Sequence, residues 1–385
     1  MTKIPEPRDP TLEAVDEAIV RANQQEARTY YGASSAGGPC DRQNWYRWRW
    51  IGPEHIDATG WRNILDGFAS EPIMAARLQA VPVIRLLTVG PDERQFGVSG
   101  IGGHLRGHLD GVVKGLHQAP KTWHGWEHKC VNEKKYRELT RAKDKHTEKG
   151  SLEQWNPTYF VQAQLYMGLA KKGPIKRHYL TVASAGNRQI QSVRTEFQPE
   201  AFDRIIERAT EIINAKHPPP KVSADPNYYI CKWCSFSEQC HGSKTAQVNC
   251  RTCAHSTPVS DGTDGKWHCG FFDRPLPIKE QRKGCPKHLF IPELLPWAHV
   301  HQLDRVNNQI TYRTDKGTEF VNAERNAWDK EPKHFASKDL QHIDDTHIDN
   351  NGFVMETLAK FDPSITKVTK AKKETLPFFD DPISF

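Results

Sequence analysis

The sequence predicts an α/β fold, a mixed central sheet flanked by helices, extended towards the C-terminus by a metal-binding module. Three observations predict it. Segments with apolar residues at helical spacing alternate with short runs rich in β-branched and aromatic residues as far as residue 216. A stiff boundary follows at Pro218-Pro219-Pro220. Beyond it the character changes, and cysteines gather in local sets over 231–240 and 250–288.

Taken in order, residues 11–28 read as a polar amphipathic helix opened by Thr11. A Gly/Ser-rich joint, Gly32 to Gly38, leads to Cys40 and the aromatic-basic run WYRWRW at 45–50. Residues 58–80 carry Trp61, Ile64, Leu65, Phe68, Ile73, Met74 and Leu78 at helical spacing. Strand-like segments are expected at 104–114 and 123–131, then a polar, lysine-rich loop over 133–150 and a helix over 156–171. Two further strands, 177–184 and 189–197, form a hairpin around Ala185-Gly186-Asn187, before a helix at 199–216. Residues 309–323 predict a hairpin turning at Asp315-Lys316-Gly317. The expected division is a first domain over 1–245, a zinc-binding module over 246–300, a small C-terminal region over 301–363 and a flexible linker and tail over 364–385.

With 37% hydrophobic and 26% charged residues the chain is polar, yet 16 Phe, 11 Trp and 10 Tyr supply large apolar area for a core. A formal charge of +6 suits an anionic partner. No apolar window approaches the length a membrane span needs, and the N-terminus lacks the apolar core of a secretory signal. The expected location is therefore the cytoplasm, where thiols stay reduced and nine cysteines ask for metal before disulfide. No GxxxxGK[ST] motif is present, so no built-in ATP motor is expected.

The chemistry points to Asp110, in GHLDGVV, and to Glu127 and Lys129, in WHGWEHKC. Glu127 and Lys129 are one residue apart, so on a strand they share a face while His128 points away. If the two strands pair, Asp110 joins them. Two carboxylates, with the carbonyl of residue 128, offer hard oxygen ligands for Mg²⁺ or Mn²⁺. An ammonium beside them can orient water and stabilise charge on a phosphate. An isolated E-x-K is more often a solvated ion pair. Its context raises its value: GFASE places Gly67 and Glu71 on the upstream helix, and QAQLY places Gln162 and Tyr166 four apart on one helical face.

Gly67 with Glu71, Gly107 with Asp110, Glu127 with Lys129, and Gln162 with Tyr166 match the G-x-x-x-E, G-x-x-D, E-x-K and Q-x-x-x-Y motifs of one family. From about residue 33 to 242 the chain resembles the PD-(D/E)XK nuclease superfamily, in its RecB-type and lambda-exonuclease-like branch common in bacteriophages. The resemblance implies a restriction-endonuclease-like core in which the acids and lysine bind metal and activate water, while Gln162 and Tyr166 line the site and touch DNA. Some relatives carry His at the position of Glu71, which reads either as a metal ligand or as a surface acid on its helix.

Cys231, Cys234 and Cys240 form C-x2-C-x5-C, one thiolate short of a site, and Cys40 is the natural fourth. This one-plus-three arrangement resembles the iron–sulfur RecB-type nucleases and implies a [4Fe–4S] cluster, although four thiolates also suit zinc. Cys250, Cys253, Cys269 and Cys285, flanked by Gly turns, predict a structural zinc site, with His255, His268 and His288 as spare ligands. Cys130 reads as a small buried residue.

The basic run between Glu127 and Gln162 is either a phosphate-binding or a solvated loop. Arg47 and Arg49, interleaved with Trp45, Trp48 and Trp50, read as packing behind a metal site before a DNA clamp. The tail LPFFDDPISF resembles the acidic, Phe-terminated tip of bacterial single-stranded-DNA-binding proteins, which implies a replication or repair partner for Phe385, Asp380 and Asp381. The expected function is a metal-dependent exonuclease acting on DNA in phage or bacterial recombination. The competing readings are a non-catalytic DNA-binding protein on the same scaffold and a sequence-specific endonuclease.

Overall fold

A computed structural model describes residues 9–170, 175–324 and 333–350. These divide into two units: one of residues 9–48, 53–170, 175–215 and 258–266, the other of 49–52, 216–257, 267–324 and 333–350. The tail at 376–385 lies outside the described residues.

The first unit is built on strands β1 (Tyr31–Gly32), β2 (Arg85–Leu87), β3 (Phe96–Gly100), β4 (Leu105–Leu109), β5 (Gly111–Lys114), β6 (His124–Val131), β7 (Arg177–Ser184) and β8 (Ile190–Glu196). Its central sheet has the order β2-β5-β6-β7-β8. β6 and β7 run parallel and the other pairs antiparallel. A smaller sheet has the order β1-β4-β3. The helices are α1 (Pro10–Ala22), α2 (Asp41–Trp48), α3 (Ala58–Gln79), α4 (Glu133–Lys145), α5 (Glu148–Trp155), α6 (Pro157–Leu169) and α7 (Pro199–Asn214). This is the mixed α/β architecture that the sequence predicts.

Strand alternation gives the sheet two apolar faces. Val131 of β6, Leu180 and Val182 of β7 and Val193 of β8 pack with Leu139, Leu152, Phe160, Ala163 and Ala201 from α4 to α7. On the opposite parity, Trp126 of β6 and Tyr179 of β7 join Leu86 and Val113 against Met74, Ala75 and Leu78 of α3. Between the parallel strands β6 and β7, the crossover carries α4, α5 and α6, as a parallel connection requires.

Three expectations change. The run at 104–114 is not one strand: β4 pairs with β3 and β1, β5 pairs with β2 and β6, and the chain changes sheets at Asp110. The stretch at 133–150 is not a loop but α4 and the start of α5. Asn132 caps α4 by accepting the Lys135 N–H at 2.9 Å, and only Tyr136 and Leu139, three apart, are buried on it. The first helix ends at Ala22, not residue 28.

The second unit contains a four-stranded sheet of Ala298–Asp304, Gln309–Thr314, Glu319–Asn322 and His334–Phe335. The hairpin at 309–323 forms as predicted, and Tyr312 and Trp297 stack on the Phe320 ring at 5.5 and 5.2 Å between centroids. A three-stranded sheet of Ser256–Pro258, Trp267–Cys269 and Arg274–Pro275 carries part of the second cysteine set.

Candidate active site

Asp110 sits at the junction of β4 and β5, where no ladder bond holds it, and its Oδ2 accepts the His128 N–H at 2.8 Å. That bond ties it to the middle of β6. On β6, Glu127 and Lys129 share a face, and Lys129 Nζ donates to Glu127 Oε1 at 2.5 Å. Gln162 Nε2 on α6 donates to the same oxygen at 3.0 Å and lies 2.7 Å from Tyr166 Oη. Tyr166 Oη in turn donates to the His108 carbonyl at 2.7 Å. Glu127, Lys129, Gln162 and Tyr166 therefore form one hydrogen-bonded network, and Asp110 joins it through the His128 backbone and through its charge, which acts on Glu127 and Lys129. Glu71, on α3, stands close enough for the Asp110 charge to act on it.

Two of the motif glycines behave differently. A Cβ on Gly107 would lie 2.6 Å from Tyr166 Cε1 and 2.8 Å from Ala33 Cβ, so the close passage of β4 beneath the tyrosine ring requires glycine. A Cβ on Gly67 would meet nothing within 4 Å.

The site carries more negative charge than it neutralises internally. Burial, and then the Asp110 charge, lift Glu127 to about 7 against the pull of Lys129. Burial also raises Asp110, with Lys129 and the His128 N–H opposing. Glu71 rises through burial and the Asp110 charge. Burial pulls Lys129 down, but Glu127 and Asp110 outweigh it and leave it at about 12. Glu127 is only 4% exposed, and its Oε2 is buried with no hydrogen-bond partner. A buried carboxylate oxygen without a donor, among other acids, is what a hard divalent cation satisfies, so the residues present fit Mg²⁺ or Mn²⁺. Among the described residues no group of three or more His, Cys, Asp or Glu side chains already stands at metal-binding spacing.

Some supporting residues gave no sequence motif. Lys129 Nζ lies 5.6 Å from the centre of the Tyr159 ring, three residues before Gln162. On the opposite face of β6, His128 Nδ1 meets Thr181 Oγ1 at 3.0 Å and its Nε2 meets Ser70 Oγ at 2.9 Å. Burial lowers His128 to about 4, so the ring is a neutral brace beneath the site. The one available signal was position: Ser70 precedes Glu71, and Thr181 is the β7 partner of His128.

The aromatic run at 45–50 is buried, not displayed. Trp45 Nε1 donates to the Ala215 carbonyl at 2.9 Å and Trp48 Nε1 to that of Ile213 at 3.2 Å, which anchors α2 on the end of α7. Arg47 pairs with Glu54 at 2.7 Å.

Cys40 is buried in the first unit; Cys231, Cys234 and Cys240 lie in the second, where the Cys234 N–H donates to the Cys231 carbonyl at 3.0 Å. Cys130 is half-buried. Within the second unit, Cys250, Cys253, Cys269 and Cys285 line one cavity of about 120 Å³ together with His255 and His288. His255 Nε2 meets Asn308 Oδ1 at 2.6 Å, and His268 Nε2 meets Asp273 at 3.2 Å.

A mixed sheet that presents an acid and an E-x-K pair to a Gln/Tyr-bearing helix defines a nuclease scaffold. The model of the PD-(D/E)XK nuclease superfamily matches residues 12–241, more than half of the chain. The chain belongs to that superfamily, as its motifs imply. The matched region holds all the active-site residues named above and ends short of Cys250. Among solved structures, it is similar to an alkaline exonuclease from Laribacter hongkongensis. Identity is 16% over 51% of this chain and 90% of that one, with a TM-score of 0.33. The same enzyme in complex with dAMP gives 16%, 52%, 90% and 0.33. SSO0001 gives 11% identity over 59% of this chain and 94% of that one, with a TM-score of 0.34. No curated protein matches the chain significantly. No helix among the described residues is long and apolar enough to cross a membrane.

Proposed function

We propose that this nuclease hydrolyses DNA phosphodiesters at Asp110, Glu127 and Lys129, as an exonuclease dependent on Mg²⁺ or Mn²⁺. One observation carries the reading: Glu127 Oε2 is buried without a partner beside Asp110 and the Lys129 ammonium. When bound, the ion supplies a Lewis acid that lowers the pKa of water and offsets charge on the phosphate. Asp110 and Glu127 would hold it, with Glu71 as a further oxygen donor. Lys129 would orient the attacking water and meet the charge that grows on the phosphate oxygens. Gln162 and Tyr166 fix the Glu127 carboxylate and line the face on which DNA would lie.

The finer assignments rest on sequence. Cys40 with Cys231, Cys234 and Cys240 would hold a [4Fe–4S] cluster, or zinc, and Cys250, Cys253, Cys269 and Cys285 a structural zinc. Residues 376–385 would dock a single-stranded-DNA-binding or replication protein through Phe385, and the setting would be phage or bacterial recombination in the cytoplasm.

The test is end-labelled linear against closed circular DNA, single- and double-stranded, with each metal in turn. Metal-dependent loss of linear DNA from its ends is expected, abolished in Asp110→Ala, Glu127→Ala and Lys129→Ala with DNA binding retained. Cleavage at near wild-type rate in Glu127→Ala or Lys129→Ala rejects the site, and cutting of closed circles rejects the exonuclease.

A further inference from the structure

The second unit contains a stack of cations and indoles that the nuclease reaction does not use. Arg251, between the first two cysteines of the second set, holds its guanidinium 3.7 Å from the centre of the Trp50 ring and 4.7 Å from that of Trp267. Arg49 also lies over the Trp267 ring, at 5.0 Å, and Arg282 over Trp50 at 4.7 Å. Arg49 and Arg251 are 1% and 0% exposed, although arginine is among the residues least often fully buried. Charge held in an interior is weakly screened, so an anionic group placed near these two guanidinium groups interacts with them more strongly than it would at the surface.

The stack is wired to the cysteine-bearing segments. Arg49 Nη1 donates to the carbonyls of Arg251 and Ser256, at 3.1 and 3.3 Å, which bracket Cys253. Arg251 Nε donates to Gln281 Oε1 at 3.0 Å, on the helix that leads to Cys285. Trp267 stands two residues before Cys269, and Arg282 three before Cys285. Gly284 takes a left-handed backbone, with φ at 63°, to turn the chain into Cys285. Each stretch that delivers a cysteine to the cavity is thus fastened to the same stack. A divalent ion held by four thiolates keeps two negative charges; Arg274, Lys283, Lys287 and Glu280 line its cavity, and Arg49 with Arg251 add two positive charges that are themselves fully buried.

We infer that Arg49 and Arg251 are the counter-charge of a closed tetrathiolate zinc at Cys250, Cys253, Cys269 and Cys285, an inference that rests on reading this set as a zinc site. The ion is structural, because four protein ligands leave it no open position. The arginines act as positioning residues. They hold the four sulfur-bearing segments together and make the residual charge of the site tolerable in an interior.

The test uses the full-length protein and needs no DNA. Bound zinc is counted by mass spectrometry of metals, affinity is read by competition with a chromogenic chelator, and cobalt substitution reports tetrahedral thiolate ligation by its absorption. Wild type is expected to hold one zinc more than Cys285→Ser, and its cobalt form to show the four-thiolate spectrum. Arg251→Met and Arg49→Met are expected to weaken zinc retention about tenfold or more, the size of effect seen when groups that support metal ligands are lost. Arg251→Lys, which keeps the charge, should stay nearer to wild type. If the Met variants do not fold, Arg251→Lys decides: loss of zinc as complete as in Cys285→Ser overturns the counter-charge. Met variants that hold zinc as tightly as wild type overturn it too, while leaving the zinc site standing. Equal zinc in wild type and Cys285→Ser overturns both.

Discussion

The Tyr166 hydroxyl donates to the His108 carbonyl at 2.7 Å, two residues ahead of Asp110, and so ties α6 to the strand that delivers the site's first acid. The same hydroxyl receives the Gln162 amide, which also grips Glu127. Tyr166→Phe removes both links and little volume. Its expected effect is a 10–100-fold loss in metal affinity or rate, the range seen when groups that orient metal ligands are removed. A Mg²⁺ titration of turnover checks this, with a shifted half-saturation as the sign of positioning. Unchanged metal dependence would show that Asp110 does not rely on the tyrosine.

Gly107→Ala tests the same packing from below. Its methyl would overlap the Tyr166 ring and the Ala33 methyl, and overpacking of that kind costs roughly 1–3 kcal/mol. Gly67→Ala, with open space around it, should be neutral or slightly stabilising on its helix. Denaturant melts of the two variants side by side decide. Equal behaviour would mean that β4 can shift away from the tyrosine.

Removing an acid from the site should stabilise the protein without metal. Asp110 raises both Glu71 and Glu127 by repulsion, and an asparagine can still accept the His128 N–H. Asp110→Asn in chelator is therefore expected to melt about 2–4 °C above wild type, corresponding to roughly 1 kcal/mol for a domain of this size. Added Mg²⁺ should narrow the difference by stabilising wild type more. A variant that melts lower in chelator would show that Asp110 is needed for the fold.

Helix α4 offers a test of DNA binding. Lys134, Lys135 and Arg141 are exposed on it, whereas Tyr136 and Leu139 are buried. Replacing the three with Gln should leave the fold intact and weaken DNA binding most at low salt. The slope of log K against log salt should fall by roughly 0.9 for each duplex phosphate that the variant no longer neutralises. An unchanged slope would make α4 a solvated face.

Where packing sets one period, the elements are legible: α7 follows its apolar spacing, and the E-x-K pair shares a face because strand alternation leaves no choice. Helix α3 forms where expected, but of the apolar positions that predict it only Met74 and Leu78 are buried, while Leu65, Phe68 and Ile73 are exposed. Asp110 shows the limit. Nothing in GHLDGVV signals that the chain changes sheets there, since both flanking strands read as one alternating run, and that change frees the carboxylate to meet His128. Helix α4 is hidden because two buried residues three apart are too few to show a period among so many charges. The place of Tyr159 beside Lys129 and the Ser70–His128–Thr181 brace depend on which strands neighbour one another, which local pattern does not carry.

His178, on β7, makes the fold sensitive to acid. It is 2% exposed, both ring nitrogens lack hydrogen-bond partners, and its register neighbours are Gly125 and Thr195. Burial, and then the Lys129 charge, lower it to about 3. The folded protein keeps this ring neutral, whereas the unfolded chain protonates it below about 6.5. Between those values the unfolded state binds the extra proton, so stability is full above about pH 6.5 and falls as pH drops towards 3. The limiting slope is about 1.4 kcal/mol per pH unit for one proton. His178→Leu conserves most of the volume and has no hydrogen bond to lose. Denaturant unfolding at pH 7.5, 6.0 and 5.0 should give the variant a shallower decline than wild type, by up to that slope. Parallel declines would mean that His178 takes up its proton in the folded state, and the acid sensitivity of the sheet would have to come from other groups.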